Sequence, residues 1–508
     1  MLFDDAFIHL RIVRNYALTG HAFFNPQQSV MATSSPFWTL LLTLLRAWQH
    51  RFILPVMEGV LVIMSGIIAF TVSMKLSCET DGTASVITAS RNSANLYLRH
   101  FAFATCVMLL LLPSSIGQME TPLAIMLLLG SVQSAIGKQA WTLPLLACAA
   151  MTRLELLPLL ALVVLFALRF NWPKRSLLIT FAILAGTALW VYTQFGVLLP
   201  NSMHAKAIGY GYGHLEVLQQ VFAIPFLEWP LAVVFLLFLI CILVQTVSVR
   251  RLAEWNPATW LPIVAGFWGL LVVMEYVIRK SPIFEWYIPL FWVPILLCLV
   301  LYTRPALTKS PATRLIELAR WSGLALLLVA PFWKGCMLIR AGMLLTPASI
   351  AEEDRQDSAR VHEYLVVGSV LQRTCPSGTL MTSEIGALGW SFPGIIEDAF
   401  GIATPRAMAF QPLRSGAPVG GVPAAYALEA SPDMIVNFSS LDAEVRASPQ
   451  LNRTYSLISL PTTIRSDHVP TSPLGWHKST ALDVFLRKDG ACNFPEVESA
   501  LSAAMTAN

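Results

Sequence analysis

Asp4 and Asp5 stand side by side ahead of the apolar run AFIHL. Neighbouring carboxylates repel each other, so their adjacency asks for a use. A carboxylate placed beside a reacting hydroxyl is a general base. Other charged and polar residues also sit in apolar surroundings. Glu120 lies in GQMETPL, Arg153 and Glu155 in MTRLELL, and Asn201, His204 and Lys206 in LLPNSMHAK. Glu275, Arg279, Lys280 and Glu285 flank the turn in MEYVIRKSPIFEWY. An ionised side chain at membrane depth costs about 2.5–3.5 kcal/mol on insertion scales, so each needs a partner or a function. Carboxylates, a histidine and cations from separate loops are what a site at a membrane border requires.

Plainer readings stand beside that one. Arg153 and Glu155 form a membrane-edge ion pair, or they bind substrate. Lys206, Arg279 and Lys280 either reach lipid headgroups or hold a ligand. Glu120 suits the N-terminus of a helix starting at Thr121-Pro122, and His204 reads as an ordinary loop residue.

The elements that must position these residues are apolar helices. Of 508 residues, 56% are hydrophobic and 13% are charged, against about 25% charged in a soluble domain. This excludes a cytosolic enzyme, a disordered chain and a secreted disulfide scaffold. The net charge of +4 is weak and scattered, so no nucleic-acid partner is expected. A spanning helix needs roughly 20 apolar residues. Candidate spans lie at 52–74, 100–114, 121–137, 140–152, 156–170, 177–197, 230–248, 259–278, 286–302 and 321–343. Lys and Arg crowd one set of loops, among them Lys138, Lys174, Arg175, Arg250 and Arg251. The opposite loops hold Arg153, Lys206, Arg279 and Lys280. The positive-inside rule makes the first set cytoplasmic. Residues 1–50 are then a first periplasmic loop, 51–345 a transmembrane bundle of about ten helices, and 346–508 a soluble periplasmic domain. No apolar segment precedes the exposed residues 1–35, so a first span is expected to be missing; export of this short tail by the 52–74 span is the alternative.

The soluble domain reads as small α/β. Residues 355–372 have helical periodicity, and 379–383, 433–438 and 482–488 have strand character. Cys375 and Cys492 are its two cysteines. Pairing in an oxidising compartment and two free thiols both stay open. The sequence has no GxxxxGK[ST], HExxH, CxxC or GxSxG motif, so nucleotide, zinc and nucleophile-elbow chemistry find no sequence support.

The segment DDAFIHLRIVRNYALTGHAFFNPQQSVMATSSPFWTLLLTLL (4–45) resembles the opening of a bacterial branch of the GT-C membrane glycosyltransferases. The matching residues are Asp4, Asp5, Arg11, Asn15, Gly20, Asn25, Pro26, Pro36 and Trp38. Met119-Glu120-Thr121-Pro122, then Leu199-Pro200-Asn201-Ser202 with Ala205-Lys206, then Gly386 through Gly401, follow in the family's order. The likeness is to mycobacterial terminal β-arabinofuranosyltransferases and pilin arabinosyltransferases. Two departures stand out. Thr152-Arg153-Leu154-Glu155 replaces a TRPEG-type motif, and Trp286-Tyr287-Ile288-Pro289 replaces an Arg-Tyr pair before proline.

The resemblance implies a mainly α membrane protein, a GT-C-type polytopic helical bundle with a C-terminal periplasmic α/β domain. It implies a multi-pass inner-membrane enzyme with a periplasmic active site. Its sugar donor would be a polyprenyl-phosphate sugar, its acceptor a glycan or protein, and membrane lipids its surroundings. Transfer would be inverting, with D-arabinofuranose as the expected sugar. No cofactor and no divalent metal are expected. Asp4 would be the base, with Asp5 second. Arg11, Glu120, Arg153, Glu155, Asn201, His204, Lys206, Arg279 and Tyr287 would bind substrate. Ser34, Ser35 and Trp38 would sit on an interfacial helix. Transfer of mannose or aminoarabinose, or flipping of a lipid-linked sugar, are the competing readings.

Overall fold

The computed structural model describes residues 4–50, 53–80, 89–137, 139–169, 172–209, 213–214, 217, 257–281, 283–302, 352–411, 420–463 and 479–506. The protein is mostly helical, with one five-stranded sheet. The candidate spans on described residues are helices: Ile53–Thr80, Ala89–Ile116, Thr121–Ile136, Thr142–Thr152, Leu157–Arg169, Lys174–Phe195, Pro257–Arg279 and Ile288–Tyr302. The candidates at 230–248 and 321–343 lie outside the described residues. Ile53–Leu76, Lys174–Phe195 and Trp260–Arg279 are long and apolar enough to cross a membrane. Thr121–Ile136 is apolar but shorter. At 1.5 Å per residue it reaches about 24 Å, less than the roughly 30 Å of a hydrocarbon core.

The chain divides into two compact units. Residues 54–187 and 212–340 form one, which holds most of the apolar helices. Within it, helix Thr142–Thr152 stops because Arg153 takes an extended backbone, with φ −138° and ψ 107°. A 3-10 turn, Leu154–Leu156, follows, and the helix resumes at Leu157. Pro158 fits that restart, since the first turn of a helix needs no N–H from it. Helices Pro257–Arg279 and Ile288–Tyr302 approach closely at Gly266 and Gly269. A Cβ there would lie 2.6 Å from Cys298 Cβ and 2.9 Å from the Phe291 carbonyl oxygen. Small residues at an apolar interface allow such backbone contact.

The other unit combines residues 1–53, 188–211 and 341–508. The first segment and the C-terminal domain, read from sequence as separate domains, therefore belong to one body. Its sheet runs β2-β1-β3-β5-β4, with β1 Leu380–Thr382, β2 Ile396–Asp398, β3 Met434–Phe438, β4 Tyr455–Pro461 and β5 Ala481–Arg487. β1 is parallel to β2 and β3, whereas β5 is antiparallel to β3 and β4. β3 is buried throughout, and edge strand β4 alternates buried with exposed residues. Met381, Ile435, Tyr426, Leu451 and Phe485 are among its core residues. Helix Glu352–Thr374 matches the periodicity read at 355–372. The helix at Pro36–Leu44 forms, but Trp38 is fully buried. It does not face a headgroup layer as expected, because its indole packs inside this unit.

Cys375 and Cys492 are bonded, which closes a loop of 117 residues between the end of one helix and the start of helix Phe494–Thr506. A crosslink over a long loop restricts the unfolded chain. Replacing both cysteines by serine is expected to cost about 2–4 kcal/mol, read as a lower melting temperature that added reductant reproduces in the unmodified protein.

Two carboxyls, Asp442 and Asp483, are fully buried in the same unit beside Arg446. Arg446 bonds Asp483 and lies 3.3 Å from Asp442. Burial, reinforced by the Asp483 charge, pushes Asp442 from 3.8 up to about 9. A raised carboxyl favours the folded state in its protonated form. Its contribution is complete below pH 3.8 and is lost as pH rises towards about 9. Asp442→Asn is therefore expected to stabilise the protein by about 1–3 kcal/mol near pH 8 and to change little below pH 4. Denaturation midpoints at the two pH values measure this.

Candidate functional site

The predicted site residues fall into two clusters, one in each unit. In the unit carrying the sheet, helix Asp4–Thr19 presents Asp4 and Asp5 in its first turn. Successive side chains on a helix diverge, and the two carboxylates meet different partners. Asp4 accepts hydrogen bonds from the backbone amides of Gly386 (3.0 Å) and Ala387 (2.7 Å). It thereby caps the short helix Gly386–Ser391. A Cβ at Gly386 would sit 2.0 Å from the Asp4 carbonyl oxygen, so only glycine allows this approach. Burial pushes the Asp4 carboxyl above its ordinary range, against the Arg360 charge and the two amides. Arg360 in turn pairs with Glu384, just after β1.

Asp5 points elsewhere. One of its oxygens lies 3.1 Å from Lys206 Nζ, and both side chains keep some exposure, 25% for Asp5 and 17% for Lys206. Lys206 is carried by helix Asn201–Gly209. Asn201 anchors that helix by donating its side-chain amide to the carbonyls of Gly401 and Ile402. Its backbone N–H donates to Met31 O at 2.9 Å. Gly401 has φ +101°, a conformation that suits glycine, and the turn wraps around the fully buried Asp398. Asp398 accepts from the amides of Phe400 and Ala403, and burial still raises it to about 6. His204 is exposed on the same helix.

Arg11 corrects a sequence expectation. It is fully buried, and all five of its N–H groups are engaged. They reach the carbonyls of Phe24, Gly389, Phe392 and Gly394 and the side-chain oxygen of Asn25. A guanidinium has five donors, so none is left for a substrate. Asn15 donates to the Phe23 and Phe24 carbonyls. Asn25 pairs with both backbone groups of Ile396 at β2, which imitates one more strand residue.

The second cluster lies in the helical unit, where the extended turn at Arg153 turns its buried side chain onto Glu120 and Glu155. The guanidinium also stacks on Tyr287, 4.2 Å from the ring centre. Tyr276 donates to Glu155 at 3.1 Å. Glu120 precedes helix Thr121–Ile136 but makes no side-chain cap bond; its carboxylate goes to Arg153. With two carboxylates on it, Arg153 has little net charge to offer a phosphate. Arg279 is not part of the cluster. It is exposed and pairs with Glu275 one turn earlier on its own helix.

Glu58 was missed in the sequence. It is fully buried in helix Ile53–Thr80 and lies within electrostatic range of Glu120. An acid inside an apolar block was the signal that could have found it. Arg360, Glu384 and Tyr276 were also missed, because nothing local marks them. Among the described residues no group of His, Cys, Asp and Glu is arranged to hold a metal ion. Comparison with family models, curated proteins and solved structures finds no match.

Proposed function

We propose that this membrane protein is a glycosyltransferase that takes a sugar from a polyprenyl-phosphate carrier. The observation that supports it is the Asp5–Lys206 pair. Residues about two hundred positions apart place a carboxylate and an ammonium 3.1 Å from each other, both still partly open. Asp5 takes the proton of the acceptor hydroxyl as its oxygen bonds the anomeric carbon. The bond from that carbon to the carrier phosphate breaks, and the phosphate leaves with the electron pair. Lys206 offsets the charge that develops there. A single displacement inverts the anomeric centre. Asp5, rather than Asp4, is the base, because Asp4 spends both oxygens on backbone amides.

The finer reading follows from the same chemistry and the sequence likeness. The chain is a multi-pass inner-membrane protein of GT-C type, and the sheet-bearing unit is periplasmic, where a bond such as Cys375–Cys492 persists. The sugar is D-arabinofuranose and the acceptor a cell-envelope glycan or glycoprotein. The test is label transfer from radiolabelled decaprenyl-phosphoryl arabinofuranose in membranes carrying the full chain. Transfer lost with Asp5→Asn supports the reading. No transfer from this donor overturns the arabinose assignment.

A further inference from the structure

The helical unit holds a buried carboxyl with no protein partner. Glu58 is fully buried, and neither of its carboxyl oxygens has a hydrogen-bond partner. Buried polar groups are nearly always bonded, and an unbonded carboxyl among apolar helices is costly. Such a group persists where a ligand completes it.

The surroundings indicate which ligand. Glu58 lies within electrostatic range of Glu120. Glu120 and Glu155 share Arg153, whose face covers Tyr287, and Tyr276 donates to Glu155. Three carboxyls stand against one guanidinium. A phosphate or other anion meets an excess of negative charge here. A ligand rich in hydroxyl donors meets acceptors, flanked by two tyrosine rings that suit the apolar face of a sugar.

We propose that Glu58, with Glu120, Glu155 and Tyr287, forms a saccharide-binding site in which Glu58 accepts hydrogen bonds from sugar hydroxyls. For the class of ligand this rests on the glycosyl-transfer reading. It adds a second recognition element, distinct from the Asp5–Lys206 pair and built for hydroxyl groups rather than for phosphate.

The test uses the full chain in detergent, with a linear arabinofuranose tetrasaccharide as probe and Mg²⁺ and Mn²⁺ as separate arms. Binding is followed by titration calorimetry and folding by melting temperature. Glu58→Leu removes both acceptors and is expected to weaken saccharide binding about tenfold or more. Glu58→Gln keeps one acceptor and should fall between. Removing an unbonded buried carboxyl should also raise the melting temperature without ligand, whereas a structural role would lower it. Saccharide affinity unchanged in Glu58→Leu overturns the proposal, as does the absence of saccharide binding by the unmodified protein. Metal binding that depends on Glu58, without saccharide binding, replaces it with a cation site.

A parallel transfer assay separates the two readings. Transfer with an acceptor KM indifferent to Glu58→Leu sinks this site and leaves the transferase. Saccharide binding that depends on Glu58, without transfer, does the reverse.

Discussion

Asp5→Asn is expected to lower sugar transfer by about 10²–10⁴-fold, the usual worth of a general base, while the protein melts where it did before. The ion pair with Lys206 is partly exposed, and such pairs contribute about 0–1 kcal/mol to stability. Asp4→Asn is expected to do the opposite. An amide offers one acceptor oxygen where the carboxylate offered two, and the helix at Gly386–Ser391 loses half of its cap. That loss is worth about 1–3 kcal/mol, and transfer should fall only as far as the folded fraction does. Activity and melting temperature measured on both variants decide the assignment. Loss of transfer in Asp4→Asn at an unchanged melting temperature would make Asp4 the base and overturn the assignment to Asp5.

The contrast between the two aspartates shows what a sequence can and cannot carry. Their adjacency was legible, and so was the oddness of Glu120, Arg153 and Glu155 in apolar surroundings. Local periodicity located the helix at Glu352–Thr374 and the strands β1, β3 and β5. The short β2 and the edge strand β4 escaped notice, because three residues and a half-exposed pattern carry little signal. What no local pattern could tell is that Asp4 caps a helix some 380 positions away. Nor could it tell that Arg153 neutralises itself on Glu120 and Glu155. Both depend on tertiary closure, and each decides whether a charged residue is architecture or a binding group. Glu58 was missed for a different reason. A single acid inside a long apolar block was averaged into a span.

Arg11→Lys should be among the most damaging conservative substitutions in the chain. Lysine keeps the charge but has three donors on one nitrogen, not five on a planar fork. It cannot satisfy the carbonyls of Phe24, Gly389, Phe392 and Gly394 together. Several buried acceptors are left without donors, and a fully buried charge loses its partners. Losses of this kind run to about 3–5 kcal/mol. The variant is expected to melt far lower and to become susceptible to proteolysis. If Arg11 instead gripped a substrate phosphate, lysine would serve nearly as well in the fold, and the deficit would appear as a raised KM for the lipid donor. Thermal denaturation in detergent, together with the KM of the surviving folded fraction, separates the two. The point reaches beyond one residue. Arg11, Asn15 and Asn25 are part of the motif that likens this chain to GT-C enzymes, and all three hold the first segment in place or fasten it to the sheet-bearing unit. A chain that had lost catalysis would still need them. The motif at these positions is therefore evidence for an architecture, and the functional argument rests on Asp5 and Lys206, which the architecture leaves partly open.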